Sequence, residues 1–358
     1  MNTVTEPRNG IRLEARGPVG MLVLSRPETL NALTIDMVLA LSEGLRKLES
    51  DNAIKMIIIS SDSERAFCAG GDMKQIRQHA LNGDHEAIRH YFTNEYALNL
   101  SIAKCRKPYL ALIDGIAMGG GLGVSVHGQY RVVTEKAVMA MPESRIGFFP
   151  DVGASWFLPR LPLRCGYWLG LTSASVKGIE AVETGLATHH VASDALDSLL
   201  DALQAALQDD DCSSCDEACR VVEQVLASET SESESSGDSG SSIHEESNRE
   251  AQRQSFQQIL TQRAHWFADD DLTAIRARLQ QDTEHSTDAK LILSLLDSAS
   301  PHSLDMTLSL FRQTHGLELE DCLQLELQLA QEACRHPDLV EGVRAVLVDK
   351  DRTPHWSQ

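Results

Sequence analysis

Glu143 and Asp151 stand eight residues apart in the segment AMPESRIGFFPDVGASWFLPRL, each directly after a proline, with Ile146, Phe148 and Phe149 between them. A carboxylate among such side chains is partly desolvated, which disfavours its charged form, raises its pKa and suits it to act as base, acid or nucleophile. Asp151 also has a purely structural reading, because Pro-Asp ahead of VGASW suits a helix N-cap. Two glycine-rich segments, FCAGGD at 67–72 and MGGGLG at 118–123, each follow a strand-like apolar run, and neither has phosphate-loop spacing. Glycine lets a ligand approach the backbone closely, and amides in a first helical turn have no intrahelical acceptor. The N–H groups of Gly71 and Gly120 are therefore candidates to converge on one oxygen, as an oxyanion requires. Tight turns packed on a sheet are the plain alternative.

The elements that must position these residues are legible as periods. Between residues 11 and 191, β-rich runs at 20–24, 54–60, 108–116 and 130–134 alternate with helical stretches at 33–48 and 87–103. This predicts an α/β core with βαβ crossovers. In KMIIIS apolar residues follow one another, as in a strand buried on both faces. Beyond residue 191 helical periods dominate, at 195–207, 218–226, 256–267, 272–281, 290–297, 303–315 and 319–334. Within that region 228–247 is nearly all serine, glycine and acid, and is expected to be a disordered surface loop.

With 32 Lys+Arg against 52 Asp+Glu, the chain of 358 residues carries a formal charge of −20. Such a charge repels nucleic-acid phosphates and anionic lipid, so neither nucleic acid nor membrane is an expected partner. No run reaches the ~20 apolar residues of a membrane span. The N-terminal residues mix acids with arginines and lack an apolar stretch, and the eight cysteines are scattered, so reduced thiols in a bacterial cytoplasm are expected. Cys212, Cys215 and Cys219 lack a convincing fourth ligand and are read as incidental thiols, with no metal site. His189 and His190 are read as structural, His127 as a C-capping residue of the helix after GGG, and Lys74 and Arg77 as solvated, with Lys74 a weak candidate for a phosphate contact.

Taken together, FCAGGD, MGGGLGVSVHG and MPESRIGFFPDVG, on a core opened by LSRPETLNALT, resemble the crotonase (enoyl-CoA hydratase/isomerase) superfamily. GLATHHV, SPHSLDMTLSLF and EGVRAVLVDKDRTPHW bring the resemblance closer to its 3-hydroxyisobutyryl-CoA hydrolase branch, over roughly 11–192 and 290–356. The resemblance implies a crotonase-like ββα spiral core at 1–192, a helical region at 193–289 and a helical region at 290–358 covering the active site. It implies oxyanion-hole amides at Gly71 and Gly120, functional acids at Glu143 and Asp151, and a further substrate-contacting acid at Glu95. It also implies a ligand wall made by Ala69, Gly70, Asp72, Met73, Ala32 and Leu33. The substrate would be an acyl-CoA, with no cofactor beyond the CoA it carries, and self-association is possible.

One departure separates functions inside the superfamily. Hydratases of that family use two glutamates, the first two residues past the GGG, and here that position is Gly123. Losing one proton-transfer group removes a contribution of roughly 10²–10⁴-fold. An aromatic-CoA dehalogenase shares Asp at position 151 but lacks an acid where Glu143 stands. The expected activity is hydrolysis of a short 3-hydroxyacyl-CoA, most of all 3-hydroxyisobutyryl-CoA in valine breakdown. An enoyl-CoA hydratase or isomerase using Glu143 alone, and a non-catalytic acyl-CoA binder, are the alternatives.

Overall fold

A computed structural model describes residues 3–4, 6–208, 214–235 and 242–357. Its strands in chain order are β1 (Thr3–Val4), β2 (Ile11–Arg16), β3 (Val19–Leu24), β4 (Met56–Ser61), β5 (Ala66–Cys68), β6 (Tyr109–Ile113), β7 (Ile116–Met118), β8 (Tyr130–Val133), β9 (Val138–Ala140), β10 (Ser175–Lys177) and β11 (His189–His190). They form a seven-stranded sheet of order β1-β2-β3-β4-β6-β8-β11 and a four-stranded sheet of order β10-β9-β7-β5. From β3 to β11 every pairing of the larger sheet is parallel, so each step between strands needs a crossover. The α/β core with a mainly helical C-terminal region is thus formed.

Two compact units alternate along the chain: one comprises Met1–Gly70, Leu98–Met139 and Val176–Gln257, the other Gly71–Ala97, Ala140–Ser175 and Gln258–Gln358. The expected breaks at 192 and 289 do not coincide with this division, because segments from the middle of the chain belong to the same unit as the C-terminal helices. In the first unit Val19, Met21, Val23, Met56, Ile58, Leu110 and Val132 line one face of the sheet. Leu199, Leu203 and Leu207, with Val222 and Leu226 of the helix Cys215–Ser235, cover that face. On the other face the helix Ile35–Ser50 comes so close that a Cβ on Gly44 would lie 2.7 Å from Leu22.

Two local expectations need correction. The run 108–116 is not one strand: β6 ends at Ile113, β7 starts at Ile116, and the two lie in different sheets. Gly115 makes the turn at φ +132°, where a Cβ would meet the Arg65 carbonyl oxygen at 2.8 Å, a conformation open to glycine. The serine-rich tract 228–247 is not one loop either. Helices run through to Ser235 and resume at Ser242, and residues 236–241 lie outside the described residues, as does Cys212.

The second unit is knit by its C-terminal helices. Ser300 caps the helix Pro301–Gln313 by accepting from Ser303 N at 3.1 Å, donates to buried Asp338 at 2.6 Å, and its N–H donates to the Ser144 carbonyl at 3.0 Å. The SPHSLD motif therefore ties the 3-10 turn Glu143–Ile146 to the helix Pro337–Val343. That helix lies against the turn backbone, and a Cβ on Gly342 would fall 2.4 Å from the Ile146 carbonyl carbon.

Gly342→Ala sets a helix-propensity gain of about 1 kcal/mol against overpacking of about 1–3 kcal/mol, and rigid backbone on the far side makes the second term win. Urea unfolding is expected to show a lower midpoint at an unchanged slope, and an unchanged or raised midpoint would mean the contact is loose.

Candidate active site

Besides Asp338, the second unit buries four carboxylates: Glu95 is 2% exposed, Glu143 6%, Asp151 5% and Glu326 0%. Glu95 lies on the helix His85–Ala103, one turn after Tyr91, and at that spacing the two side chains meet. Tyr91 Oη donates to Glu95 Oε1 at 3.2 Å. A Cβ on Gly71 would stand 2.8 Å from the same hydroxyl, which is why position 71 has no side chain. From the same helix Tyr96 Oη donates to Asp151 Oδ2 at 2.8 Å. Glu143 opens its 3-10 turn after Pro142, and its Oε2 is buried with no hydrogen-bond partner among the described residues. Phe92, Phe148 and Phe149 pack beside these groups as a stacked apolar wall, with centroids 5.5 and 4.7 Å apart.

Asp151 is not the helix cap that its Pro-Asp context suggests. The short helix Ala154–Phe157 has Gly153 at its N-cap, and the carboxylate serving its amides is that of Glu326. Glu326 Oε2 accepts from Gly153 N at 2.7 Å, and Oε1 accepts from Ser155 N at 3.0 Å and Ser155 Oγ at 2.6 Å. Between Asp151 and Gly153, buried Val152 is held at φ +54°, a conformation that is strained for a β-branched residue by about 1–3 kcal/mol. Glu326 therefore pins the strained turn that leaves the Asp151 carboxyl free for Tyr96. Sequence reading missed Glu326, although the signal exists. In the helix Leu319–Ala333 the buried positions are Leu319, Cys322, Leu323, Glu326, Ala330 and Ala333, which puts an acid on the apolar stripe.

Among the described residues no lysine or arginine forms an ion pair with any of these four acids. Burial drives Glu143 well above the ordinary carboxylate range, with the charges of Asp151 and Glu95 adding to it. Burial likewise raises Glu95, with Asp151 adding and the Tyr91 hydroxyl opposing. Asp151 is pushed up to about 7 by burial against the opposing Tyr96 hydrogen bond. Glu326 rises to about 8, since burial outweighs its hydrogen bonds from Ser155 and Gly153. Like charges this close share protons as a set, so the acids titrate together rather than one by one.

In the first unit Ala32, Leu33, Ala69, Gly70 and Gly120 gather around one loop, while Asp72 and Met73 belong to the second. Leu33 N donates to the Gly70 carbonyl at 2.8 Å and Ala69 N to that of Leu30 at 2.9 Å, which joins Ala32 and Leu33 to Ala69 and Gly70. Buried Asn31 fastens the loop by donating to the Phe67 carbonyl at 3.0 Å. Gly70, at φ +99°, is so close to the second glycine segment that a Cβ would lie 2.9 Å from the Met118 carbonyl oxygen and 3.4 Å from Gly120 N. Gly120 begins the helix Gly120–Gly123, whose first intrahelical donor is Leu122, so the Gly120 amide precedes the intrahelical ladder. Asp72 accepts from Gln75 N as cap of the helix Met73–Leu81, whose first residue is Met73. Lys74 is exposed, Arg77 donates to the Val340 carbonyl, and His189 and His190 form β11. The helix after GGG ends at Gly123 with Val124 as its C-cap, ahead of His127.

Residues 19–358 match the enoyl-CoA hydratase/isomerase family. The chain is 38% identical over 357 residues to the mitochondrial 3-hydroxyisobutyryl-CoA hydrolase of Bos taurus, covering 99% of this chain and 86% of that protein. To the Homo sapiens protein of the same name it is 37% identical over 356 residues, with the same coverage. Among solved structures, a carnitinyl-CoA dehydratase from Mycobacterium thermoresistibile superimposes with a TM-score of 0.79 at 32% identity, covering 98% of this chain and 92% of that one. An enoyl-CoA hydratase from Rhodobacter sphaeroides 2.4.1 gives 0.78 at 30% identity over the same shares.

Two measurements test the acid cluster. Glu326→Leu orphans buried donors, and losing even one acceptor of this kind costs about 1–3 kcal/mol, so thermal unfolding should come markedly earlier than in the native chain. The pH dependence has a definite sign. Asp151 and Glu326 rise from 3.8 and 4.5 to about 7 and about 8, so the folded chain keeps protons that the unfolded chain releases. Their stabilising effect is complete below about pH 4 and is lost as pH rises through 7 to 8. Urea unfolding between pH 5 and 8 should show stability falling with pH, less steeply in Asp151→Asn. An equal slope in that variant would remove Asp151 from the titrating set.

Proposed function

The chain belongs to the enoyl-CoA hydratase/isomerase family, and from that premise we propose that it hydrolyses the thioester of a short 3-hydroxyacyl-CoA, 3-hydroxyisobutyryl-CoA foremost, to the free hydroxy acid and CoA. The names of the curated relatives support this reading. The observation that carries it is the pairing of Glu143, whose buried Oε2 has no partner among the described residues, with Asp151, while Gly123 occupies the place of a hydratase's other glutamate. The dehydratase and hydratase titles of the structural neighbours speak for the shared fold and a CoA ester, and Gly123 speaks against their chemistry here.

In the proposed mechanism the thioester oxygen accepts from the backbone N–H groups of Gly71 and Gly120, which stabilise the charge that grows on it. The Glu143 carboxylate adds to the carbonyl carbon, the C–S bond breaks, CoA leaves as a thiolate that takes up a proton, and water opens the resulting anhydride. The competing route has Glu143 remove a proton from a water that adds directly. Hydroxylamine separates the two, since it intercepts an anhydride as a hydroxamate. Glu95, steadied by Tyr91, holds the 3-hydroxyl, and Asp151, steadied by Tyr96, holds the water and moves its proton. Ala69, Gly70, Asp72, Met73, Ala32 and Leu33 line the CoA arm. No resident cofactor enters these steps. The proposal places the reaction in valine breakdown and, with seven free cysteines and no disulfide among the described residues, in a reducing cytoplasm, whereas the vertebrate relatives are named mitochondrial.

The decisive assay is release of CoA thiol from 3-hydroxyisobutyryl-CoA, corrected for the protein's own thiols, with crotonyl-CoA alongside. Thiol release from the hydroxyacyl ester with crotonyl-CoA inert is expected, and consumption of crotonyl-CoA without thiol release would make the chain a hydratase. Glu143→Gln should reduce kcat by at least about 10³-fold while CoA-ester binding survives. Because Asp151 raises Glu143, the acid limb of kcat/KM in Asp151→Asn should move to lower pH as well as losing height. A limb that stays in place would detach Asp151 from Glu143.

A further inference from the structure

Within the second unit, Arg263 is a buried cation with no counterion among the described residues. It is 8% exposed, and its guanidinium carbon stands 4.8 Å from the centroid of Trp266 and 5.5 Å from that of Trp168. No hydrogen bond or ion pair joins its guanidinium to any described residue, and its Nε is fully buried and unpartnered. Asp288, the acid whose charge reaches it, is exposed and forms no ion pair with it. A second orphan lies alongside, since Trp168 is 7% exposed and its Nε1 also has no acceptor. Trp266, by contrast, has its indole N–H satisfied by Asp282 at 2.9 Å.

Buried charges are normally paired and buried donors normally hydrogen-bonded. Here a guanidinium with a buried, unpartnered Nε and one neutral donor lie side by side with no acceptor among the described residues, in a chain whose formal charge is −20. Indole contacts hold a guanidinium against its flat surface, so its donors remain free at the edge, which matches a carboxylate or a phosphate in a bidentate manner. We propose that Arg263 and Trp168 form a binding subsite for a small oxyanion, with the guanidinium edge taking two oxygens and the Trp168 N–H taking an oxygen of the same group. The residues proposed for thioester hydrolysis take no part in it.

The test is intrinsic tryptophan fluorescence of the full chain titrated with inorganic phosphate, and in parallel with acetate, at ionic strength held constant with sodium chloride. A saturable change is expected with at least one of them, and the arm that saturates identifies the oxyanion as phosphate or carboxylate. Arg263→Met should abolish saturation. Trp168→Phe, which keeps the aromatic surface and removes the donor, should weaken binding by about tenfold, the worth of one hydrogen bond to a charged group. Arg263→Lys keeps the charge and loses the fork, so it should weaken binding and serves as the deciding variant if Arg263→Met does not fold. A response linear in both salts, or one unchanged in the Arg263 variants, overturns the proposal.

Discussion

The second unit is organised around an electrostatic constraint: Glu95, Glu143, Asp151 and Glu326 are buried within reach of one another's charge, and no cation among the described residues is paired with them. Four ionised carboxylates cannot coexist in such a space, because each would lose water and repel the others. The fold answers with neutral donors and shared protons. Tyr91, Tyr96, Ser155 and the amides of Gly153 and Ser155 supply the hydrogen bonds, and the elevated pKa values of the acids keep protons on the cluster near neutrality. Within this set Glu143 Oε2 is buried without a hydrogen-bond partner among the described residues.

Much of the surrounding architecture is the means of holding this set still. Val152 in a left-handed conformation is unfavourable by itself and persists because the residues on both sides are fixed, Asp151 by Tyr96 and Gly153 by Glu326. The Glu143 turn is fixed through its neighbours: Ser144 bonds to Ser300, Ser300 to Asp338, and the helix carrying Asp338 lies too close to Ile146 to admit a side chain at position 342. The long helical extension after the α/β core therefore supplies a site residue and two restraints on others. In the second unit, a shift of any of these helices would move the acids relative to one another.

The fold and part of the site were legible because short motifs encode short-range geometry. A proline before Glu143, apolar residues around both acids and glycines at strand ends carry their meaning within ten or so residues, and the parallel core follows from runs such as Met56–Ser61. What depends on distant partners stayed hidden. Asp151 reads equally well as a cap until Glu326, far along the chain, is found occupying the amides it would have capped. The break at Gly115 was concealed because β6 and β7 are both apolar, and only the change of sheet distinguishes them. The serine-rich tract misled for the opposite reason: composition reports that a segment cannot build a core, which does not prevent helices from entering it at both ends.

Desolvation sets the balance between hydrolysis and its alternatives in this framework. A carboxylate raised by burial is a stronger base and nucleophile when ionised, yet it is ionised less often, so the cluster gains only if a neighbour takes the proton while Glu143 is charged. Asp151 at about 7 is matched to that exchange, because its hydrogen bond from Tyr96 opposes burial and leaves it close to neutral pH. Hydration of a double bond asks for two acids set across the substrate's reacting carbons, and under the proposed reading the position of the second is taken by Gly123. Thioester cleavage asks for one nucleophile or base, a sink for the oxygen's charge and a leaving group that departs unaided. In the proposed reaction Glu143, whose buried Oε2 has no hydrogen-bond partner among the described residues, would meet the first demand, and a hydratase-like fold would need no second glutamate for it.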